Sequence, residues 1–314
     1  MSKYLITGAT GYIGSMILNR ILDEGHEVDV IVRNGTQLFC RNFTNVNMIV
    51  ADIRDENRLS CIDKKYEYIV HCAAPTQSAY MVSNPVEVIE SIVNGTEYIL
   101  KLAKRSGVKS MVYLSSMEVY GQIDCSDGRR VRENESGYID VSNIRSCYPI
   151  GKLMAENLCH SYYKEYGIPV KIARLAQTFG RGVRAGDNRV FVQFANAVRT
   201  GSDIVLHTFG RSMGNYCDID EAVDAILFIL MHGENSEAYN VVNEANTMRI
   251  RDLAEIAASE IANGNIKIIY DISKKDQFGY SADTELKLSG EKLRDLGWEA
   301  KRGIKEMFER MLTA

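Results

Sequence analysis

Seven residues near the amino terminus restrict the fold of this chain more than any other feature. Gly8-Ala9-Thr10-Gly11-Tyr12-Ile13-Gly14 separates an apolar run, Tyr4-Leu5-Ile6, from a stretch with Ile17, Leu18, Ile21 and Leu22 at helical spacing. That pattern reads as a strand from Lys3 to Thr7, a glycine turn and a helix over 14–24 that Gly25 stops. Glycines let the backbone turn tightly and approach a pyrophosphate, which then sits on the helix N-terminus. In a strand–turn–helix context the three glycines are a strong sign of a bound dinucleotide.

Strand and helix patterns alternate through the first half. Further strands are expected over 27–32, 48–51, 68–72, 110–114 and 170–174, with long helices over 86–106 and 151–166. Apolar strands alternating with helices imply an α/β protein with a parallel sheet covered on both faces. The rhythm changes after Gln177. Positions 180–188 read as a loop, followed by a helix over 190–200, a strand over 204–207 and a helix over 220–231. A strand over 239–242 returns to the main sheet, and helices over 250–262 and 304–312 end the chain.

Composition excludes several classes. The net charge is −4 with both signs mixed along the chain, whereas a nucleic-acid binder shows a basic stripe. No apolar run is long enough to span a bilayer, and the N-terminus has no signal-peptide pattern. Seven cysteines without a C-x-x-C pair read as reduced thiols, so a cytoplasmic location is expected. The five histidines lie far apart, so no metal is expected.

The Gly-x-x-Gly-x-x-Gly spacing resembles the short-chain dehydrogenase/reductase superfamily, which implies NAD or NADP as cofactor. The resemblance implies cofactor contacts from Gly8, Thr10, Gly11, Tyr12, Ile13 and Gly14, from the Asp52-Ile53 pair after the third strand, and from Ala73 and Ala74. His71, beside those alanines, reads as a packed core residue. Where an NAD-specific member places an acid, this chain has Val32-Arg33-Asn34. An arginine suits a 2′-phosphate, so Arg33 leans toward NADP.

Tyr148 and Lys152 are four residues apart and share one helix face. A tyrosine of pKa ~10 is a slow base at neutral pH. An ammonium one turn away, together with an oxidised nicotinamide, is expected to lower it. Tyr148 then takes a proton from a substrate hydroxyl, and Lys152 holds the cofactor ribose. Ser116, at the end of the fifth strand, aligns with the Ser or Thr that shares the substrate hydroxyl.

With Asn94, Arg145-Ser146-Cys147-Tyr148, Gly151-Lys152, the run Arg174 to Gly180 and Leu296-Gly297-Trp298, nearly the whole chain resembles the extended branch of that superfamily, the NAD(P)-dependent nucleotide-sugar epimerases and dehydratases. The resemblance implies a Rossmann-type doubly wound parallel sheet with a smaller, interleaved C-terminal α/β substrate domain. The expected division is 1–176 for the dinucleotide and 177–314 mainly for a nucleoside-diphosphate sugar, with 215–243 returning to the first. It also implies a homodimer through the 86–106 and Tyr148 helices.

Epimerisation needs only Ser116, Tyr148 and Lys152, and 4-epimerisation is slightly favoured. A 4,6-dehydratase carries Asp-Glu where this chain has Met117-Glu118; the base Glu118 is present and the acid is missing. UDP-glucuronate decarboxylases also carry Glu118, but their arginine aligns with Gly214. Diphosphate binding then falls to Arg181, Arg189 or Arg211, with Gln177 reaching the substrate. Arg33 leaves open an NADPH-dependent keto-sugar reductase. A non-catalytic dinucleotide sensor is a further alternative, though sensors typically lose the Tyr–Lys pair.

Overall fold

The apolar segments of the first half assemble side by side into one sheet. The computed structural model describes residues 1–33, 44–125, 127–183, 186–272 and 284–313. The chain runs β1 (Lys3–Thr7), α1 (Tyr12–Asp23), β2 (Glu27–Val32), β3 (Val46–Val50), α2 (Glu56–Ser60), β4 (Tyr68–His71), α3 (Ser78–Ser83), α4 (Pro85–Ser106) and β5 (Ser110–Ser116). It continues through α5 (Cys147–Tyr166), β6 (Val170–Leu175), β7 (Gln177–Phe179), α6 (Val190–Thr200), β8 (Ile204–Leu206), β9 (Met213–Asp218) and α7 (Ile219–His232). The last elements are β10 (Ala238–Val241), β11 (Asn243–Arg249), α8 (Ile250–Glu255), β12 (Ile268–Tyr270), α9 (Glu291–Asp295) and α10 (Ile304–Thr313).

Seven strands form the main sheet in the order β10-β6-β5-β4-β1-β2-β3. Every pairing from β3 to β6 is parallel, the doubly wound arrangement expected of the sequence. The order reverses between β1 and β4, and ligands bind such sheets outside the strand ends at that switch point. Leu5, Ile6, Ile69, Val70, Met111 and Val112 are fully buried, as strands covered on both faces require. Edge strand β3 is the exception, with Met48 and Val50 exposed. The boundaries of α4 follow from its sequence: Pro85 opens it and Gly107 closes it in the left-handed conformation, φ 64°, which costs glycine nothing.

Contacts divide the chain into two units, Met1–Gly121 with Ser136–Leu175 and Val223–Tyr239, and Gln122–Glu135 with Ala176–Ala222 and Asn240–Ala314. The second unit holds a three-stranded sheet, β11-β9-β7, and a two-stranded one, β12-β8. Its core is aromatic: Phe179 stacks on Phe191 at 4.5 Å between ring centroids, with Tyr216 and Phe308 against it. Segment 122–135 joins this unit through Val131, whose N–H donates to Lys287 O at 2.7 Å and whose carbonyl accepts from Ser289 at 2.8 Å.

Two features depart from the sequence reading. The expected helix over 250–262 is α8 followed by a wider π-helical turn, Ile256–Ile261, where Ala262 N–H donates to Ala257 O. Strand β9 was not anticipated because its buried positions include Asn215 and Asp218. Both polar groups find partners within the second unit, Asn215 in Leu286 O and Leu288 N–H at 2.8 and 2.9 Å and Asp218 Oδ1 in Arg302 at 2.8 Å. No helix among the described residues is long and apolar enough to cross a membrane.

Candidate active site

The glycine turn between β1 and α1 leaves no room for a side chain at Gly8 or Gly14. Gly8 adopts φ +74°, and a Cβ there would lie 2.8 Å from Ala73 N, at the end of β4. A Cβ on Gly14 would sit 2.2 Å from Gly8 O. The first turn of α1 carries no acidic residue, and its N-cap, Gly11, offers no side-chain cap, so the positive end of the helix suits an anion. Thr10, Tyr12 and Ile13 line the turn half-buried, as do Ala73 and Ala74 across from it. A cradle that a Cβ would fill fits the pyrophosphate of a dinucleotide.

A buried hydrogen-bond chain fixes this cradle. The Thr96 hydroxyl donates to Ile92 O at 2.5 Å and so accepts from His71 Nε2 at 3.1 Å. His71 Nδ1 then accepts from Thr7 Oγ1 at 2.6 Å, and that oxygen accepts from Ala73 N–H at 3.2 Å. Burial pushes the imidazole pKa down to about 3, so His71 is neutral and its tautomer is set by its neighbours.

At the end of β3, the Asp52 carboxylate accepts from the Arg54 backbone at 2.9 Å and from its guanidinium at 3.1 and 2.9 Å. Those hydrogen bonds hold Asp52 below the usual carboxylate range, and the charge of Arg33 adds to the effect. The Ile53 side chain packs on α4, where a Cβ on Gly95 would meet its Cδ1 at 2.8 Å. Arg33 is exposed and makes no ion pair among the described residues. Asn34 lies outside them.

The chemistry-bearing groups lie where β5 ends and α5 begins. Ser116 closes β5 and caps a 3-10 turn over Met117–Tyr120, its Oγ accepting from Glu118 N–H at 3.2 Å. Ser116 acts on Tyr148 by favouring its ionised form. Lys152, one turn along α5, is buried and donates from Nζ to Leu114 O at 2.6 Å. Its ammonium lies 5.8 Å from the Tyr148 ring centroid and 4.7 Å from that of Tyr113. Behind them, Arg174 on β6 grips Glu156 on α5 at 3.0 and 2.7 Å, fixing the helix that carries Tyr148 and Lys152.

The electrostatics of the protein groups alone run against a phenolate. Burial pushes Tyr148 above the usual tyrosine range and the charge of Glu118 pushes it further, with Ser116 and Arg145 opposing. Burial also pulls Lys152 down to about 8, so the protein groups alone do not make Tyr148 a base. The same burial gives a stability prediction. Because the folded Lys152 pKa lies below its ordinary 10.5, the unfolded chain binds more protons between about pH 8 and 10.5, and stability rises with pH across that window. The cost is complete below pH 8 and amounts to about 3 kcal/mol. Lys152→Met is expected to raise the melting temperature at pH 7, with the gain shrinking toward pH 10. Calorimetry across that range checks it.

The arginines expected to meet a diphosphate lie in the second unit and differ in availability. Arg181 is held bidentately by Asp220, with contacts of 2.7 to 3.0 Å. Arg189 is held by Asp187 and donates to Thr178 O at 3.2 Å. Arg211 is exposed, makes no ion pair among the described residues and stacks over the exposed Phe209 ring at 5.0 Å. Gln177 opens β7, opposite Tyr216 in β9. At Gly214 a Cβ would lie 2.2 Å from Tyr216 Oη: the phenol occupies the space of a residue-214 side chain.

The model of the NAD dependent epimerase/dehydratase family matches residues 4–243. The chain belongs to that family. It is 29% identical over 272 residues to UDP-glucuronic acid decarboxylase 5 of Arabidopsis thaliana, spanning 85% of this chain and 76% of that protein. It is 27% identical over 255 residues to dTDP-D-glucose 4,6-dehydratase of Dictyostelium discoideum, spanning 77% of this chain and 58% of that protein. The solved UDP-glucose 4-epimerase of Thermotoga maritima shares the fold, with a TM-score of 0.83 at 22% identity over 99% of this chain and 97% of that one.

Among family motifs in the sequence, Arg145 had been assigned no role. It donates from its two terminal nitrogens to Glu118 at 2.6 and 3.0 Å. The Leu114 carbonyl that holds Lys152 and the Thr7–His71–Thr96 chain also went unseen. None of these leaves a short-range signal, because each partner lies more than twenty residues away.

Proposed function

We propose that this protein is an NAD(P)-dependent nucleotide-sugar 4-epimerase working by transient oxidation at the sugar C4. The observation that carries this reading is the grouping of Ser116, Tyr148 and Lys152 at the β5–α5 junction, beside the glycine cradle's sheet edge. Gly8, Thr10, Gly11, Tyr12, Ile13 and Gly14 hold the pyrophosphate, Ala73 and Ala74 pass close to the cofactor, and Asp52 and Ile53 flank the adenosine. When bound, the oxidised nicotinamide supplies a hydride acceptor and a positive charge. Tyr148 Oη takes the C4 hydroxyl proton and later returns it, Ser116 Oγ orients that hydroxyl, and Lys152 holds the ribose while stabilising the phenolate. Arg211, the least engaged of the three arginines, takes the diphosphate, with Gln177 toward the sugar.

Three observations favour epimerisation over elimination or decarboxylation. Met117 cannot protonate a leaving hydroxyl, Glu118 is tied by Arg145, and Tyr216 fills the space beside Gly214. A second reading, 4,6-dehydration or decarboxylation with Glu118 as base, draws on the sequence likeness to a decarboxylase and a dehydratase. Glu118→Gln separates them: an epimerase retains turnover within about tenfold, whereas loss of a general base costs about 10²–10⁴-fold.

The cofactor and the assembly follow from the same units. Arg33, without an ion-pair partner among the described residues, favours the 2′-phosphate of NADP. Arg33→Ala is expected to weaken NADPH about tenfold and to leave NADH unchanged; paired titrations of the two cofactors check it. Val86 and Ile89 on α4 and Met154 on α5 are exposed apolar residues that a homodimer through these helices would cover.

A further inference from the structure

The ion pair at the β5–α5 junction stands beside the Ser116, Tyr148 and Lys152 set without belonging to it. Glu118 stands on the 3-10 turn capped by Ser116. Arg145 stands on a second 3-10 turn, Ile144–Ser146, where its own N–H donates to the capping Asn143 side chain at 3.0 Å. Both turns abut the catalytic strand and helix, and the guanidinium meets the carboxylate through two hydrogen bonds. Such bidentate geometry fixes direction as well as charge. About a third of each side chain is exposed, so the pair is reached by solvent and is not part of the core.

We propose that Arg145 is a positioning residue: clamped on Glu118, it cancels the carboxylate charge that faces Tyr148 and so lets the phenol give up its proton. This rests on Tyr148 being the proton acceptor, and it holds for any reaction of the site that begins with oxidation. The groups that act on the phenol are Ser116 at the end of β5, Glu118 on the turn that follows it, Tyr113 within β5 and Arg145 on the turn before α5, with the Lys152 ammonium 5.8 Å from its ring. Of these, Glu118 opposes the phenolate, and Arg145 is the cation in direct contact with Glu118. A guanidinium one ion-pair distance away shifts a neighbouring carboxylate's influence by the order of a pH unit.

The test is a pH titration of the protein loaded with NAD⁺, followed by phenolate absorbance, with the Tyr148 contribution isolated by subtracting the same titration of Tyr148→Phe. Arg145→Met is expected to raise the Tyr148 midpoint by about one pH unit, and Arg145→Lys to return part of it. Adding Glu118→Gln to Arg145→Met is expected to restore the original midpoint, because the charge to be cancelled is gone. An unchanged midpoint in Arg145→Met would overturn the inference. A rise that persists in the double variant would overturn it too, since a purely structural arginine does not depend on Glu118. If the unsubstituted protein shows no Tyr148 step at all, the reading of Tyr148 fails along with it.

Discussion

Tyr148→Phe is expected to bind cofactor as the unsubstituted protein does while losing turnover of its nucleotide sugar by about 10²–10⁴-fold. The substitution removes one oxygen. The ring stays in a site where Tyr148 is almost wholly buried, so packing is kept. What disappears is the phenol oxygen at the start of α5 to which the proposed mechanism gives the hydroxyl proton. Lys152 cannot replace it, because at neutral pH its amine is already protonated. The check is a cofactor titration together with product formation at saturating sugar. Turnover within tenfold of the unsubstituted protein would remove Tyr148 from the chemistry.

Gly14→Val is expected to abolish cofactor binding and to destabilise the fold by about 3 kcal/mol. A Cβ 2.2 Å from Gly8 O cannot be accommodated without moving the turn, and the turn is what approaches the pyrophosphate. Loss of about 3 kcal/mol in affinity corresponds to more than a hundredfold. Gly25→Ala is the control. Gly25 adopts φ +81°, with nothing within 4 Å of a Cβ, so alanine there costs about 1–2 kcal/mol of backbone strain and leaves the cradle intact. Thermal unfolding and cofactor titration on both variants separate general strain from loss of the site.

These contrasts show which parts of the molecule are written locally. The cradle is legible because its three glycines are spaced within one turn, where a Cβ on Gly11 or Gly14 would crowd Gly8 O, and Tyr148 with Lys152 is legible because four residues make one helical turn. The main sheet is legible through long apolar runs. Strand β9 is not, because Asn215 and Asp218 break the apolar pattern and find partners seventy or more positions away. The Glu118–Arg145 clamp spans 27 residues, and the burial that raises Tyr148 depends on α4, β5 and α5 coming together. Spacing alone therefore pairs Tyr148 with Lys152 but carries nothing of the burial around them. Gly214 could be recognised as lacking a side chain, yet nothing local announced that Tyr216 folds back over it.

The central claim is that Tyr148 opens a reversible oxidation at the C4 position of a nucleotide sugar. The most direct measurement incubates the purified protein with UDP-, dTDP-, GDP- and CDP-sugars, with and without added NADPH, and reads product mass and stereochemistry. The account predicts a product of unchanged mass, inverted at C4, without consumption of added NADPH. Loss of water or carbon dioxide would contradict epimerisation and make Glu118 the base, and gain of two hydrogens only with NADPH would make the protein a reductase.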